Sequence, residues 1–299
     1  MINVENGHSR KALFSLISTM VIFGTIGIFR RHIQLSSSMI ALLRAAIGVL
    51  FLLIVLRVSG KKLDRAAIKA NGAMLLLSSA LMGFNWIVLF EAYRYTSVAT
   101  ATLCYYMEPI ILVLLSPVFL GERLTKKKVL CVLVALSGMV LVSGVLQAGF
   151  SGGAETKGVI FGLLAALLYA SVILINKRLH GISAYDKTIM QLGLAALLLL
   201  PYTLLTGEFS MSMDVPSAVM MILVGVVHTG FAYWLYFGSI SGLRAQTVAL
   251  LSYIDPVVAI VLSALLLGEH MTMASALGAI LVLGATIVSE LPEKTKEEK

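Results

Sequence analysis

An all-α integral membrane fold, ten transmembrane helices arranged as two inverted-topology five-helix repeats, is predicted by three observations. Hydrophobic residues make up 59% and charged residues 13% of the 299 positions, with a mean hydropathy of +0.96, a balance that belongs to membrane proteins. The apolar residues fall into runs separated by short polar loops. The chain also aligns with itself, without a gap, at a constant offset of 147 residues.

A hydrocarbon core of ~30 Å takes about 20 apolar residues at 1.5 Å each, fewer where flanking side chains snorkel. On that rule the spans are 12–29, 39–56, 72–90, 97–120, 129–146, 158–175, 188–205, 217–237, 245–267 and 273–289. Short connections make neighbouring spans antiparallel. Arg10-Lys11 before the first run resembles the start of a signal peptide, but no small-residue cleavage site follows and Arg30-Arg31 comes next, so a retained span is expected. The expected division is 1–11 as a cytoplasmic N-terminus, 12–146 as the first repeat, 147–157 as an external linker, 158–289 as the second repeat and 290–299 as a cytoplasmic tail.

The net charge of +8 does not point to nucleic acid, because the bases sit in short loops without interleaved aromatics. They read as topology signals. With the N-terminus in the cytoplasm, 18 Lys and Arg lie inside against four outside (Arg30, Arg31, Arg94, Lys157), and Arg44 remains within a span. Both termini are therefore expected inside the inner or plasma membrane. Cys104 and Cys131 both lie in apolar runs and are expected as reduced packing residues, with no disulfide framework or metal cluster. No Gly-x-x-x-x-Gly-Lys-Ser/Thr loop is present to bind ATP.

Identities at the 147-residue offset include Gly83/Gly230, Phe84/Phe231, Phe90/Phe237, Thr100/Thr247, Leu103/Leu250, Tyr106/Tyr253, Pro109/Pro256, Ser116/Ser263, Gly121/Gly268, Glu122/Glu269 and Thr125/Thr272. Apolar composition inflates Leu matches but does not align Pro or Gly-Glu. Because each repeat holds five spans, an odd number, the second enters the membrane upside down, the arrangement in which a site between repeats is exposed to the two sides in turn.

Two five-span repeats, each with an acid before a mid-span Pro (Glu108-Pro109, Asp255-Pro256) and closing in Leu-Gly-Glu-x-x-Thr, resemble the EamA-type branch of the drug/metabolite transporter superfamily. The stretch Phe90 to Ser97 resembles that family too, and the likeness runs from about Leu13 to Ser289. The resemblance implies a ten-helix transporter, usually an exporter of small metabolites, with a central cavity between the repeats; separately, no cofactor is expected.

Several residues can carry that chemistry. Glu108 and Asp255 lie about 11 residues, ~17 Å, from the ends of their spans, too deep for a short side chain to snorkel. An ionised carboxylate there costs about 2.5 to 3.5 kcal/mol, so each is expected to face a cavity, meet a partner or bind a proton. Pro109 and Pro256 lack an N–H, which leaves the carbonyls of Tyr105 and Ser252 unpaired at the same depth, beside the hydroxyls of Tyr106 and Tyr253. The alternative is that the prolines kink packing helices and the acids are neutral, hydrogen-bonded core groups.

Arg44 is expected to snorkel outward, with an inward turn toward an acid or an anionic cargo as the alternative. Asn85-Trp86 places an amide and an indole inside a span, a mixture pockets use. His228 is balanced between a proton relay and a plain interhelical hydrogen bond. Glu91 is balanced between an entrance role and ordinary solvation. The other aromatics of the third and eighth spans are assigned by default to interface belts or core. Gly158, Gly162, Ala166 and Ala170 form a small-residue stripe expected to admit a helix of the same bundle, in a monomer or weak dimer.

The function expected from these features is secondary export of a small metabolite such as an amino acid by alternating access, with protons as a candidate coupling ion. Alternatives are a proton-coupled exporter of cationic or aromatic drugs, a channel, and an intramembrane enzyme built on Glu108, Asp255 and His228. The enzyme reading lacks a nucleophile motif and a metal-ligand pair.

Overall fold

Residues 2–30, 32–96, 101, 104–142, 153–267 and 272–291 are described by the computed structural model of the protein, and no β-strand occurs among them. The predicted features that lie outside them are residues 97–100 of the fourth span, Gly268-Glu269 of the second closing motif, most of the linker and the tail from Pro292. The helices are α1 (Ile2–Arg30), α2 (Ser37–Val58), α3 (Arg65–Ala70), α4 (Gly72–Tyr95), α5 (Glu108–Leu120), α6 (Lys126–Val142), α7 (Gly153–Arg178) and α8 (Ala184–Leu205). They continue with α9 (Val215–Leu223), a π segment (Val224–Phe231), α10 (Ala232–Ile240), α11 (Ala245–Ser252), α12 (Ile254–Leu267) and α13 (Met273–Glu290).

Six helical stretches are long and apolar enough to cross a membrane: Arg10–Arg30, Ser37–Val58, Gly72–Tyr95, Thr156–Arg178, Ala184–Leu205 and Val215–Ile240. The predicted span 273–289 appears in full as α13, residues 143–146 of the predicted span 129–146 lie outside the described residues, and the predicted spans 97–120 and 245–267 appear as shorter apolar helices. These last two differ for a specific reason. The ninth span is not continuous: the chain leaves the helix at Tyr253 and re-enters it as α12, with Asp255 and Pro256 in the first turn. The fourth breaks at the equivalent place, Tyr106-Met107, and α5 begins at Glu108-Pro109. A proline is well suited to the first turn of a helix, where its missing N–H has no intrahelical partner, so each acid-Pro pair starts a half-helix rather than bending a whole one. The short, exposed α3, capped by Asp64, lies in a segment read as a loop.

The repeat extends to local backbone chemistry. Ser36 caps α2 by accepting from the Met39 N–H at 3.2 Å, and Ser183, 147 residues on, caps α8 by accepting from the Asp186 N–H at 3.1 Å. After those helices Gly60 and Gly207, again 147 apart, take left-handed φ angles of 66° and 70°, a conformation glycine adopts without strain.

Packing follows the same relation. α1, of the first repeat, lies on α10 and α12 of the second; α7, of the second, lies on α4 and α5 of the first. α2 meets the π segment as α8 meets α4, while α2 pairs with α8 and α6 with α13. Each of these contacts is its own counterpart or has one under the offset, which is the signature of an approximate two-fold relation between repeats. The repeats are therefore interleaved, and neither buries its helices alone.

Small residues make this possible. A Cβ on Gly48 would approach the backbone N of Gly230 to 3.1 Å, and one on Gly24 would lie 2.7 Å from the Asp255 carbonyl oxygen. The Gly158/Gly162 stripe lies against Thr96 and Cys104 of the same chain, as expected. Large apolar side chains such as Ile54, Leu114, Val118 and Leu197 are exposed on the outer surface, while Ser78, Asn85, Gln191 and Thr203 are buried. That inside-out polarity suits a lipid surround. Inside it, Gln191 donates to the Ser78 hydroxyl at 2.8 Å, tying α8 to α4.

A Cβ on Gly138 would sit 2.7 Å from the Gly278 carbonyl oxygen and 2.9 Å from Val282 Cγ2, so Gly138→Ala forces α6 and α13 apart. The expected loss is about 1–3 kcal/mol, seen as a lower melting temperature of the detergent-solubilised protein; an unchanged transition contradicts this packing.

Candidate functional site

The two helix breaks open onto one cavity of about 210 Å³. Glu108 and Asp255, from the first turns of α5 and α12, both line it, together with Tyr105, Tyr106 and Ser252 from the residues before the breaks. Irregular backbone inside a membrane is tolerated where it is buried in protein or lines such a cavity. Gly24 lets α1 press against the Asp255 backbone, so the first helix of one repeat braces the break in the other.

The remaining wall is largely aromatic. Phe23 of α1, Trp86 and Phe90 of α4, Tyr169 of α7, and Tyr233 and Tyr236 of α10 all contribute. Tyr169 and Tyr236 stack with ring centroids 6.5 Å apart and planes 14° from parallel, and Tyr105 lies 5.9 Å from Tyr169. Phe23 and Tyr233 are 5.3 Å apart. These rings supply apolar faces, with phenolic hydroxyls as the polar groups. Glu108 Oε1 and the Tyr236 hydroxyl are buried with no hydrogen-bond partner, which gives the wall an acceptor and a donor for an occupant.

Arg44 corrects the expectation of outward snorkelling. Its guanidinium lies over the Trp86 ring at 5.2 Å and near the Tyr233 ring at 5.9 Å, and its Nε donates to Thr229 Oγ1 at 3.0 Å. Thr229 in turn donates to the Val224 carbonyl at 3.0 Å within the π segment, an i to i+5 contact that its wider winding brings into reach. Two aromatic faces and one oriented hydroxyl hold the cation inward more favourably than a stretch to the interface would. Among the described residues, no ion pair joins Arg44 to Glu108 or Asp255. The cavity thus carries a cationic group on one wall and two carboxyl groups on another.

The other predicted residues are close by but play different parts. The Asn85 amide nitrogen donates to the Ala165 carbonyl at 2.6 Å, joining α4 to α7, and Asn85 is not on the cavity wall. His228 Nε2 is 2.8 Å from Thr25 Oγ1 and its ring lies 4.7 Å from that of Phe29, which matches the interhelical alternative. Tyr253 is fully buried and donates to the Tyr106 carbonyl at 3.2 Å. That carbonyl belongs to its own repeat partner, so the two breaks are tied directly together. Glu91 accepts from Arg94 at 3.0 Å and from the Tyr202 hydroxyl at 2.5 Å, holding α4 to α8. Tyr105, Tyr169 and Tyr236 are wall residues that the sequence alone does not assign to the site; at 169 the available signal is a Tyr within a largely apolar sixth span. No cluster of three or more His, Cys, Asp or Glu suited to a metal ion occurs among the described residues.

The sequence profile of the EamA-like transporter family matches residues 10–144 and again residues 156–290. The chain belongs to this family. It is 29% identical over 280 residues to the Uncharacterized transporter YxxF of Bacillus subtilis (strain 168), an alignment covering 94% of this chain and 89% of that protein. It is 24% identical over 219 residues to Protein PecM of Dickeya dadantii (strain 3937), covering 72% of each. It is 26% identical over 195 residues to the pseudopaline exporter CntI of Pseudomonas aeruginosa (strain UCBPP-PA14), covering 64% of this chain and 65% of CntI. A solved crystal structure shares the fold with a TM-score of 0.82 at 19% identity, covering 93% of this chain and 96% of that one.

This EamA-family protein is therefore a multi-pass membrane transporter rather than an enzyme, and the cavity at the two breaks is its candidate substrate site. Since His228 lies off the wall, His228→Leu is expected to lower stability by about 1 kcal/mol through the lost interhelical hydrogen bond while leaving transport per folded molecule unchanged. Transport assayed on reconstituted, quantified protein checks this, and a selective loss of transport places His228 in the pathway.

Proposed function

We propose that this EamA-family transporter exports a small amphoteric metabolite, such as an amino acid or a related compound, by alternating access at the cavity. One observation carries the reading: Arg44, set between Trp86 and Tyr233, lines the same aromatic cavity as Glu108 and Asp255. A guanidinium can hold a carboxylate with directed hydrogen bonds, while two carboxyl groups among tyrosine rings suit an ammonium group. The positive ends of α5 and α12 also point into the site, as half-helix N-termini do in transporters built from broken helices.

The architecture that goes with this reading has ten spans in two inverted five-helix repeats, divided as 12–146 and 158–289. The two-fold packing of α1 with α7, and of the breaks at 108 and 255, supports it. The excess of Lys and Arg in alternate loops supports a topology with both termini in the cytoplasm, in the inner or plasma membrane. The name of CntI as a pseudopaline exporter supports the outward direction of transport. Energy comes from the cargo's own gradient or from protons carried on Glu108 or Asp255.

The second reading, proton-coupled export of cationic or aromatic drugs, is favoured by the ring-lined wall with its two carboxyl groups. Arg44 distinguishes the two, because a cationic drug gains nothing from a guanidinium in its site.

The test is a comparison of exported metabolites from cells overproducing the wild type, Arg44→Gln and Glu108→Gln, followed by counterflow of the identified compound in proteoliposomes. An amphoteric compound is expected outside wild-type cells, and Arg44→Gln is expected to raise its half-saturation concentration at least tenfold, consistent with a lost charge-assisted contact of about 1.5–3 kcal/mol. Under an imposed pH gradient, Glu108→Gln is expected to lose gradient-driven uptake but keep exchange if Glu108 carries the proton. Export of cationic drugs that is indifferent to Arg44→Gln overturns the amphoteric assignment.

A further inference from the structure

Approximate two-fold symmetry sorts contacts into those made at both ends of the bundle and those made at one end alone. The Ser38 hydroxyl donates to Glu208, and at the positions 147 residues away Lys61 lies over the Tyr185 ring at 5.8 Å. Positions 38 and 208 correspond to 185 and 61, so this contact is present twice and belongs to a fixed frame.

Two other contacts break the symmetry. Lys177, at the end of α7, donates to the carbonyls of Ile240, at 3.1 Å, and Leu243, binding α7 to the α10–α11 connection beside Glu122. Its counterpart Arg30, at the end of α1, does not follow this pattern. It donates to the Ile33 and Leu35 carbonyls, at 3.1 and 3.4 Å, within its own loop. The second asymmetric contact is central. The Tyr253 hydroxyl bonds the Tyr106 carbonyl at 3.2 Å, leaving Tyr253 buried and Tyr106 on the cavity wall.

Both ends of the bundle carry other bonds between repeats. At the Arg30 end the Ser217 hydroxyl donates to the His32 carbonyl at 2.9 Å and accepts from the Gln34 N–H at 3.2 Å. At the Lys177 end the bonds are made by Glu122. Glu122 accepts from the Ala245 and Gln246 N–H groups at 2.7 and 3.3 Å, capping α11. The cavity residues on α1, α2 and α4, by contrast, come from the halves of those helices nearer the Arg30 end.

We propose that Lys177 and Tyr253 are positioning residues whose bonds hold the Glu122 end closed, and that Arg30 and Tyr106 take over these roles when the cavity turns to face that end. In the alternate state the Tyr106 hydroxyl bonds the Tyr253 carbonyl, and Arg30 reaches the carbonyls of Tyr93 and Thr96, the counterparts of Ile240 and Leu243. Lys177 then withdraws to its own loop, and Tyr253 becomes part of the wall. The assignment rests on the alternating-access reading above, and it adds which bonds exchange. Exchange of like for like keeps the two states close in energy, which a carrier that must visit both requires.

The test uses the full chain with Cys104→Ser, Cys131→Ser and a reporter, Ser252→Cys, on the cavity wall. A membrane-impermeant thiol reagent is applied to vesicles of each orientation, and the ratio of labelling rates from the two faces is measured. Tyr253→Phe removes a bond made only in the present state, whereas Tyr106→Phe removes one made only in the alternate state.

Tyr253→Phe is expected to shift the ratio about fivefold toward the Glu122 face, and Tyr106→Phe about fivefold the other way, in line with one neutral hydrogen bond. Lys177→Met is expected to shift it about tenfold in the same direction as Tyr253→Phe. A residue that only stabilises the fold moves neither ratio, or both alike. Labelling from both faces with no shift, or with shifts of the same sign in the two Phe variants, overturns the assignment of these bonds. Labelling from a single face in every variant overturns alternating access itself, and the assignment with it.

Discussion

A peptide group inside a bilayer has no water to bond, and that requirement governs this molecule. Continuous helices meet it on their own; a helix interrupted in mid-membrane does not. The chain interrupts a helix at Tyr106-Met107 and again at Tyr253, and much of the remaining structure keeps these places away from lipid. α1 and α7 each cross over to brace the break of the other repeat, and glycines such as Gly24 and Gly162 bring the backbones close enough to do so. The Tyr253 hydroxyl then satisfies a carbonyl freed at the partner break. Interleaving of the repeats follows from this requirement, since each half-helix needs its shelter from the opposite repeat.

The same places concentrate polarity. Two helix N-termini and two carboxyl groups are gathered there, and the proposed amphoteric cargo needs an opposite charge beside them. Arg44 supplies it without being neutralised by an internal ion pair, because Trp86, Tyr233 and Thr229 hold the guanidinium in place. Had it paired with Glu108 or Asp255, the cavity would offer a solute little net attraction. Holding charges apart on rigid, aromatic walls keeps both available, and it accounts for the density of tyrosine around the site.

Much of this was legible in the sequence, for identifiable reasons. The offset of 147 survives in residue types with strict backbone roles, Pro109/Pro256 and Gly121/Gly268 among them, so it predicts the repeat and puts Glu108 and Asp255 at equivalent positions. Hydropathy, however, cannot tell a kinked helix from two half-helices, because a proline within an apolar run is compatible with both. Arg44 was misplaced because its depth allowed snorkelling, and the rings that hold it inward come from α4 and α10, remote in sequence. Asn85 and His228 looked like pocket residues from polarity alone. Each is committed to a neighbouring helix, through Ala165 and Thr25, a contact that only the fold reveals.

The account stands on Glu108 and Asp255 facing one aqueous cavity from two-fold-related breaks. The most direct measurement replaces each in turn, Glu108→Cys and Asp255→Cys, in a chain lacking Cys104 and Cys131, and follows labelling by a water-soluble, membrane-impermeant thiol reagent. Both positions are predicted to react, and in the double variant a bulky label on one is predicted to slow reaction at the other. Reaction at either position only with a lipid-soluble reagent would mean that its side chain faces the bilayer, and would contradict the shared cavity.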